Sequence, residues 1–153
     1  MARPPKSAEK GRKLSNFLCF AVYSANLAFG RAYKPLLDKI GLTYTQYIAM
    51  VALSDEDEPT TVSALGEKLF LESNTLTPML KKLESMGYLR RQRDPADERQ
   101  VRVSLTEAGR KLREKGVHTS LVKSSGLKPE AFERLQKGIV ELRDNLLKVA
   151  EAE

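Results

Sequence analysis

Residues 71–106, LESNTLTPMLKKLESMGYLRRQRDPADERQVRVSLT, contain the pattern that decides the predicted fold. Apolar residues recur there at intervals of three and four, which predicts a helix with one apolar face: Leu76, Leu80, Leu83 and Met86. Ser73 or Asn74 is the predicted cap, because a short side-chain oxygen accepts hydrogen bonds from the N–H groups of a first helical turn. Gly87 is the predicted end, since glycine readily adopts the left-handed conformation that follows many helices.

A basic hairpin follows this helix. Two strand-like runs, 88–91 and 101–105, flank the charged stretch RQRDPADERQ, which has Asp94 and Pro95 at its turn. A polar-faced helix followed by a basic hairpin is typical of a winged helix-turn-helix, in which the helix enters the major groove of DNA. The hairpin then reaches the neighbouring minor groove or the phosphate backbone. The same pattern also fits a solvated edge of an ordinary α+β domain.

The segment before it, TTVSALGEKLFLES (60–73), favours the DNA-binding interpretation. It predicts a short helix capped by Thr61, with Leu65 and Leu69 on the inner side. A turn of three to four residues then leads into the polar-faced helix, which is helix-turn-helix spacing.

The net charge of +6 is unevenly distributed along the 153 residues. Residues 68–113 hold eleven Lys or Arg and six Asp or Glu, a local charge of +5, whereas residues 14–67 have a charge of −3. A basic segment between acidic and neutral ones is the expected footprint of a protein that binds a polyanion. Lysine and arginine also solvate helix faces, but five arginines lie within thirteen residues at the hairpin: Arg90, Arg91, Arg93, Arg99 and Arg102.

Length and composition restrict the remaining possibilities. The chain is long enough for one domain, or one domain with a dimerising extension. No apolar run approaches the roughly 20 residues of a membrane span, and the basic start lacks the apolar core of an export signal. One cysteine makes no intramolecular disulfide, so we expect a protein of the reducing cytoplasm. Residues 1–12 are expected to be a flexible basic tail, with a phosphate contact as the alternative.

Both ends of the chain predict helices that need a partner. Residues 13–40 predict a long helix, interrupted near Gly30 and Pro35, whose apolar residues cover nearly its whole circumference. Thr43 is the predicted cap of the next helix. After Pro129, apolar residues alternate at three and four, a heptad seam: Phe132, Leu135, Ile139, Leu142, Leu146 and Val149.

We therefore predict a mainly α protein with a small β-hairpin wing (α+β), built as a winged helix-turn-helix core between terminal dimerisation helices. The predicted regions are 13–42 for the N-terminal dimerisation and sensor helix, 43–106 for the DNA-binding domain and 107–153 for the C-terminal dimerisation helices. Two-fold symmetry of a homodimer presents two recognition helices to two half-sites about one helical turn apart.

The runs SNTLTPMLKKLESMGYL and DERQVRVSLTEAG resemble the MarR family of bacterial winged-helix regulators over nearly the whole chain after residue 13. The resemblance implies that Arg99 enters the minor groove of a double-stranded DNA operator and that Asp97 holds its guanidinium. A narrow groove attracts arginine, and a carboxylate fixes its planar fork. The predicted DNA-binding set is completed by Ser73, Asn74, Thr75, Thr77, Lys81, Arg91 and Arg93.

The run LCFAVYSANLAFGRAYKPLLDKIGLTYTQY is similar to the OhrR-type branch, which senses organic hydroperoxides. The resemblance implies that Cys19 is the redox sensor and that hydroxyls of Tyr23, Tyr33 and Tyr44 activate it. Cys19 and Tyr23 are i and i+4 and share a helix face. Tyr33 is fourteen residues on, about 21 Å along a straight helix, so it reaches its own Cys19 only if the helix breaks sharply. It can reach the Cys19 of a partner subunit if the two first helices meet antiparallel.

The chemistry requires a thiolate, which peroxide oxidises to a sulfenic acid that condenses with a thiol. Some relatives carry a second, resolving cysteine near the C-terminal helices. This chain has none, so the resemblance implies a mixed disulfide with a low-molecular-weight thiol, or oxidation on to sulfinic acid. Two alternatives stay open: Cys19 as a small core residue, or a regulator released by an aromatic ligand with Cys19 as a bystander.

An enzyme is the alternative from another class. A thiol peroxidase also uses a reactive cysteine, but Cys19 does not follow the Pro and Thr residues expected at the helix start of a thioredoxin-like fold. His118 is the only histidine, and no Gly-x-Ser-x-Gly run is present. No Cys/His cluster or glycine-rich phosphate loop predicts a metal or other cofactor. The sequence therefore favours a regulator without a cofactor.

Overall fold

A computed structural model describes residues 13–115 and 123–152. The chain divides into two compact units, Met1–Lys115 and Gly116–Glu153. The predicted tail at 1–12 and His118 lie outside the described residues.

The described part of the first unit contains a short 3-10 helix, five α-helices and three strands. After the 3-10 helix (Leu14–Asn16), the elements are α1 (Leu18–Asp38), α2 (Tyr44–Ser54), β1 (Thr60–Thr61), α3 (Val62–Leu69), α4 (Ser73–Ser85), β2 (Leu89–Arg93), β3 (Val101–Leu105) and α5 (Glu107–Glu114). The second unit contains α6 (Pro129–Glu151). The predicted mainly α fold with a small wing is confirmed.

Helix α1 starts later and runs more regularly than predicted. It begins at Leu18 and continues unbroken through Gly30 and Pro35 to Asp38, so the predicted interruption is wrong. A proline ring leaves the carbonyl four residues earlier without its helical partner. That carbonyl belongs to Arg31, and both residues are exposed, so water can pair with it and the helix continues.

Two of the three predicted helix starts have the expected caps. Thr43 accepts from the backbone N–H of Gln46, whose side chain accepts from Thr43 N in return, a capping box. The Thr61 hydroxyl accepts from Ala64 N at 3.1 Å. At α4 the predicted cap is wrong: Glu72, with an extended backbone, occupies the cap position and no side chain bonds there.

The end of α4 matches the prediction. Gly87 has a φ of +81°. Tyr88 N donates to Leu83 O at 3.1 Å and Gly87 N to Glu84 O at 2.9 Å, the paired bonds of a Schellman motif.

The sheet has the order β1-β3-β2, and both pairings are antiparallel. The sequence missed β1, which pairs Thr60 with Val103 and fixes the start of α3 beside the hairpin. The predicted apolar faces meet beneath the sheet and α4, where six side chains are fully buried: Met50, Leu65, Leu76, Leu80, Leu83 and Val103.

Helices α5 and α6, both in the predicted region 107–153, lie in different units. Leu112 of α5 is buried, and Arg113 Nε donates to Ser54 Oγ of α2 at 3.1 Å, so α5 packs on the first unit. Helix α6 keeps most of its heptad positions exposed, including Leu135, Ile139, Leu146 and Val149.

Candidate nucleic-acid interface and cysteine region

A tight turn orients α3 and α4. A Cβ at Gly66 would lie 2.7 Å from the carbonyl oxygen of Leu71, so only glycine lets the two segments approach this closely. Phe70 between them has a left-handed φ of 56° and donates from its N–H to Glu67 O. The helix-turn-helix predicted from spacing is therefore present.

The predicted recognition residues share the outward face of α4. Leu76, Leu80 and Leu83 bury the inner face. On the other side, the predicted set is exposed except for the half-buried Thr77: Ser73, Asn74, Thr75, Thr77 and Lys81. This face offers hydroxyl, amide and ammonium groups, which suit base edges and phosphates.

The wing (residues 89–105) carries Arg99 at its tip. The Arg99 side chain is 93% exposed, and its backbone N and Nε lie 3.1 and 3.4 Å from Oδ1 of Asp97. The pairing implied by the resemblance is thus present, with the guanidinium directed at solvent. Arg93, at the end of β2, is also exposed.

A groove of about 230 Å³ connects the wing with the start of α3 and α4. Four predicted DNA-binding residues line it: Ser73, Thr77, Arg91 and Arg99. Ser63 and Gln100 line it as well and were missed. No sequence pattern identifies these two residues, because their position in the groove depends on the pairing of β1 with β3, which brings α3 beside the wing.

Arg91 has a partner within the protein. Its Nε donates to Glu84 Oε2 at 2.9 Å, and its backbone N–H donates to Oε1 at 3.1 Å. These hydrogen bonds, led by the one from the side chain, lower the pKa of Glu84. The Arg91 side chain is only 25% exposed.

Arg102 also points into the protein. Its Nε donates to Asp94 Oδ2 at 2.7 Å and its Nη1 to the carbonyl of Pro59 at 3.0 Å. Asp94 is buried and also accepts from Ala96 N at 2.9 Å. The Ala96 N–H, followed by Arg102, lowers the pKa of the Asp94 carboxyl. Arg102 therefore joins the wing to the segment before β1.

The predicted sensor residues fall into two groups. Cys19 is exposed near the start of α1, where Tyr23 is exposed beside Phe20 with ring centroids 6.4 Å apart. Tyr33 is buried against Tyr44, with ring centroids 5.0 Å apart. Because α1 is unbroken, about 21 Å of helix separates Tyr33 from Cys19 of the same chain.

Tyr47, which the sequence did not single out, completes the tyrosine cluster, 6.5 Å from Tyr33 between ring centroids. Burial raises the pKa of Tyr33, and Tyr44 and Tyr47 add to the rise. The Tyr33 hydroxyl therefore stays protonated at neutral pH and is able to donate a hydrogen bond.

Helix α1 exposes an apolar surface around Cys19. Several large side chains are exposed from its cap to just past its midpoint: Phe17, Leu18, Phe20, Leu27 and Phe29. Contiguous apolar patches on soluble proteins commonly mark interaction surfaces.

Residues 13–115 and 123–152 contain neither a metal-binding cluster nor a membrane-spanning helix. No group of three or more His, Cys, Asp or Glu side chains is placed to hold a metal ion. None of the helices in these ranges is long and apolar enough to cross a membrane.

A helix-turn-helix with a polar outward face, joined to a hairpin with an arginine at its tip, defines a DNA-binding transcriptional regulator of the winged-helix class. A family model described as transcriptional regulator SarA/Rot matches residues 31–115. The organic hydroperoxide resistance transcriptional regulator of Bacillus subtilis is 44% identical over 88% of this chain and 92% of its own. The chain belongs to the MarR family, in its OhrR-type branch.

Solved structures of other proteins have the same fold. AbfR of Staphylococcus epidermidis superposes with a TM-score of 0.75 and 36% identity, over 96% of this chain and 99% of its own. A MarR-family regulator from Rhodococcus shares the fold, with a TM-score of 0.79 over 86% of this chain and 95% of its own, at 19% identity. The Bacillus subtilis relative and the matching family model are transcriptional regulators, so this chain is a regulator and not the thiol peroxidase considered from the sequence.

Proposed function

We propose that the protein is a homodimeric repressor that binds a pseudo-palindromic operator when reduced and releases it when an organic hydroperoxide oxidises Cys19. The observation that carries the proposal is the exposed thiol of Cys19, the only cysteine in the sequence, within the apolar surface of α1. The Bacillus subtilis relative is named for organic hydroperoxide resistance. AbfR has been solved reduced on DNA and in a disulfide form.

On the DNA side, α4 lies in the major groove with Ser73, Asn74, Thr75, Thr77 and Lys81 toward bases and phosphates. Arg99 enters the adjacent minor groove, held by Asp97. The exposure of these side chains supports both contacts. A good bidentate base contact contributes about 1–3 kcal/mol, so a small change in the spacing of two recognition helices releases the operator.

The dimer covers the apolar faces that one chain leaves exposed. These lie on α1 and along the α6 seam, where Leu135, Ile139, Leu146 and Val149 are exposed and Phe132 and Leu142 are half-buried. In this proposal the activating Tyr33 and Tyr44 hydroxyls come from the partner subunit, which is supported by the separation of about 21 Å along α1 between Cys19 and Tyr33 of one chain and by the packing of Tyr33 on Tyr44. Tyr23, on the same helix face as Cys19, completes the phenol donors.

Oxidation proceeds by attack of the Cys19 thiolate on a peroxide oxygen. The S–O bond forms as the O–O bond breaks, the sulfur loses two electrons, and the alkoxide takes a proton to leave as an alcohol. A low-molecular-weight thiol then condenses with the sulfenic acid, forming a mixed disulfide and water. Further peroxide instead oxidises the sulfenic acid to sulfinic acid. The apolar side chains around Cys19 favour organic over hydrogen peroxide.

The test is operator binding at fixed salt, before and after cumene hydroperoxide, for the wild type and Cys19→Ser. We expect release of the wild type alone, with binding restored by a thiol reductant. If both proteins stay bound, the redox proposal fails while DNA binding survives. If a phenolic ligand releases Cys19→Ser, a ligand-sensing regulator replaces it.

A further inference from the structure

A carboxylate at the end of α4 holds the first strand of the wing. Glu84 Oε1 accepts from the backbone N–H of Arg91 at 3.1 Å, and Oε2 lies 2.9 Å from Nε and 2.8 Å from Nη2 of the same residue. Two guanidinium nitrogens thus share one carboxylate oxygen, and hydrogen bonds between ionised groups are stronger than those between neutral groups. The additional bond to the main chain fixes the strand itself, and not only the arginine side chain.

The contact spans the junction at which the wing leaves the recognition helix. Helix α4 ends at Ser85 and β2 begins at Leu89, so three residues link them, with Gly87 in the left-handed conformation. Glu84 lies before this link and Arg91 after it. Arg91 also pairs with Val103 in the sheet. Restraining Arg91 therefore restrains both β2 and β3, the two strands that lead to Arg99.

We propose that Glu84 is a positioning residue for operator binding: it sets the angle of the wing to α4, so that Arg99 and the recognition helix engage one operator together. This inference rests on the DNA contact of Arg99 in the proposed function. It also gives Arg91 the role of partner to Glu84 in place of the DNA contact expected from the sequence. The lowered pKa of Glu84 keeps its carboxylate charged at neutral pH.

The positioning role predicts that loss of Glu84 weakens operator binding, whereas net charge alone predicts that it tightens binding. Removing an acidic side chain from a DNA-binding domain lessens repulsion of phosphates and should tighten binding. Glu84→Gln keeps the shape but replaces one carboxylate oxygen by an amide nitrogen, which can accept from neither the guanidinium nor the backbone N–H of Arg91. We expect it to weaken operator binding about tenfold, the loss typical of a hydrogen bond to a charged group. The matched control is Glu98→Gln, an exposed wing carboxylate, for which binding should be unchanged or tighter.

A double-mutant cycle separates positioning from general stability. Operator affinity is measured for the reduced full-length protein carrying Glu84→Gln, Arg99→Ala or both, at a temperature where thermal melts show every variant folded. Glu84 is paired with Arg91 and Arg99 with Asp97, so the effects of the two substitutions should add unless one residue positions the other. If Glu84 positions Arg99, we expect Arg99→Ala to lower operator affinity about tenfold in the wild-type background and much less in the Glu84→Gln background.

The salt dependence of Arg91→Gln gives a second criterion. A lost phosphate contact lowers the slope of log affinity against log salt by about one, whereas a lost positioning contact leaves it unchanged. Additive effects in the cycle, tighter binding by Glu84→Gln, or a slope lowered by one would each overturn the role of Glu84. If Arg99→Ala alone leaves the affinity unchanged, the wing contact of the proposed function is wrong and this inference falls with it.

Discussion

Arg102 and Asp94 form an ion pair in which Nε lies 2.7 Å from Oδ2 and only 7% of the Asp94 side chain is exposed. The same guanidinium donates to the carbonyl of Pro59, 43 residues away in sequence. Strand β3, the turn of the wing and the segment before β1 therefore meet at one arginine that, in sequence, resembles its neighbours in the basic hairpin.

Asp94→Asn should destabilise the protein in a pH-dependent way. The folded pKa of Asp94 lies below the ordinary value of 3.8, so its charge stabilises the folded state fully above about pH 5. This contribution is lost as the pH falls below 3.8 toward the folded pKa. We expect the variant to melt below the wild type at pH 7, with a gap that narrows by pH 3 in thermal melts followed by circular dichroism. A gap independent of pH would contradict the assigned role of the charge.

Gly109→Ala should destabilise the fold although it improves helix propensity in α5. A Cβ at this position would lie 2.1 Å from the carbonyl oxygen of Tyr88, which is backbone that cannot move aside cheaply. We expect a loss of about 1–3 kcal/mol in unfolding free energy, the usual cost of overpacking. Propensity alone predicts a gain of up to about 1 kcal/mol.

The control for this substitution is Ala108→Gly, at the exposed neighbouring position. It should cost no more than about 1 kcal/mol in urea denaturation, from propensity alone. A Gly109→Ala protein at least as stable as the wild type would show that α5 does not pack this closely on Tyr88.

Lys81→Ala and Asn74→Ala should weaken DNA binding in different ways. If Lys81 contacts phosphate, its loss lowers affinity for operator and random duplex alike and lowers the salt slope by about one. If Asn74 reads a base edge, its loss costs about 1–3 kcal/mol on the operator only and leaves the slope unchanged. Fluorescence anisotropy over a salt series measures both, and the reverse pattern would exchange the two roles.

Mixed dimers test whether the sensor site is shared between subunits. Cys19→Ser and Tyr33→Phe chains each lack one component, and each homodimer should respond poorly to peroxide. In a heterodimer, Cys19 of the Tyr33→Phe chain meets the intact Tyr33 of the other, so one complete site returns. We expect the rate of Cys19 oxidation, followed by mass spectrometry, to recover at that cysteine. A rate as slow as in the Tyr33→Phe homodimer would place the activating hydroxyl elsewhere.

Local patterns predicted the elements of the fold well. The spacing of Leu76, Leu80 and Leu83 identified the buried face of α4, and Gly87 identified its end. The prediction of Ser73 or Asn74 as the cap of α4 was wrong, because serine and asparagine are also accepted in the first turn of a helix. Residue type alone therefore did not distinguish the cap position, which is Glu72, from the first helical position. The two-residue strand β1 has no period to detect and is defined by its pairing with Val103.

The exposed residues of the candidate site could be predicted from the helical periodicity of α4 and from the charged tip of the hairpin. Arg99 and the outward face of α4 are on the surface as expected. Arg91 binds Glu84, 7 positions away in sequence. Arg102 binds Asp94 and Pro59, 8 and 43 positions away. In a single sequence these arginines cannot be told from Arg99, because the ion pairs depend on the tertiary fold.

The unbroken length of α1 has a consequence for how the cell's supply of this regulator is consumed under stress. In the proposed dimer, a freshly synthesised chain that has not yet met a second copy carries its thiol beside its own Tyr23 but without Tyr33 and Tyr44 of a partner. Such chains are oxidised more slowly than their assembled counterparts. They form a reserve from which repression resumes once the oxidant is gone, with a size set by the balance between synthesis and assembly.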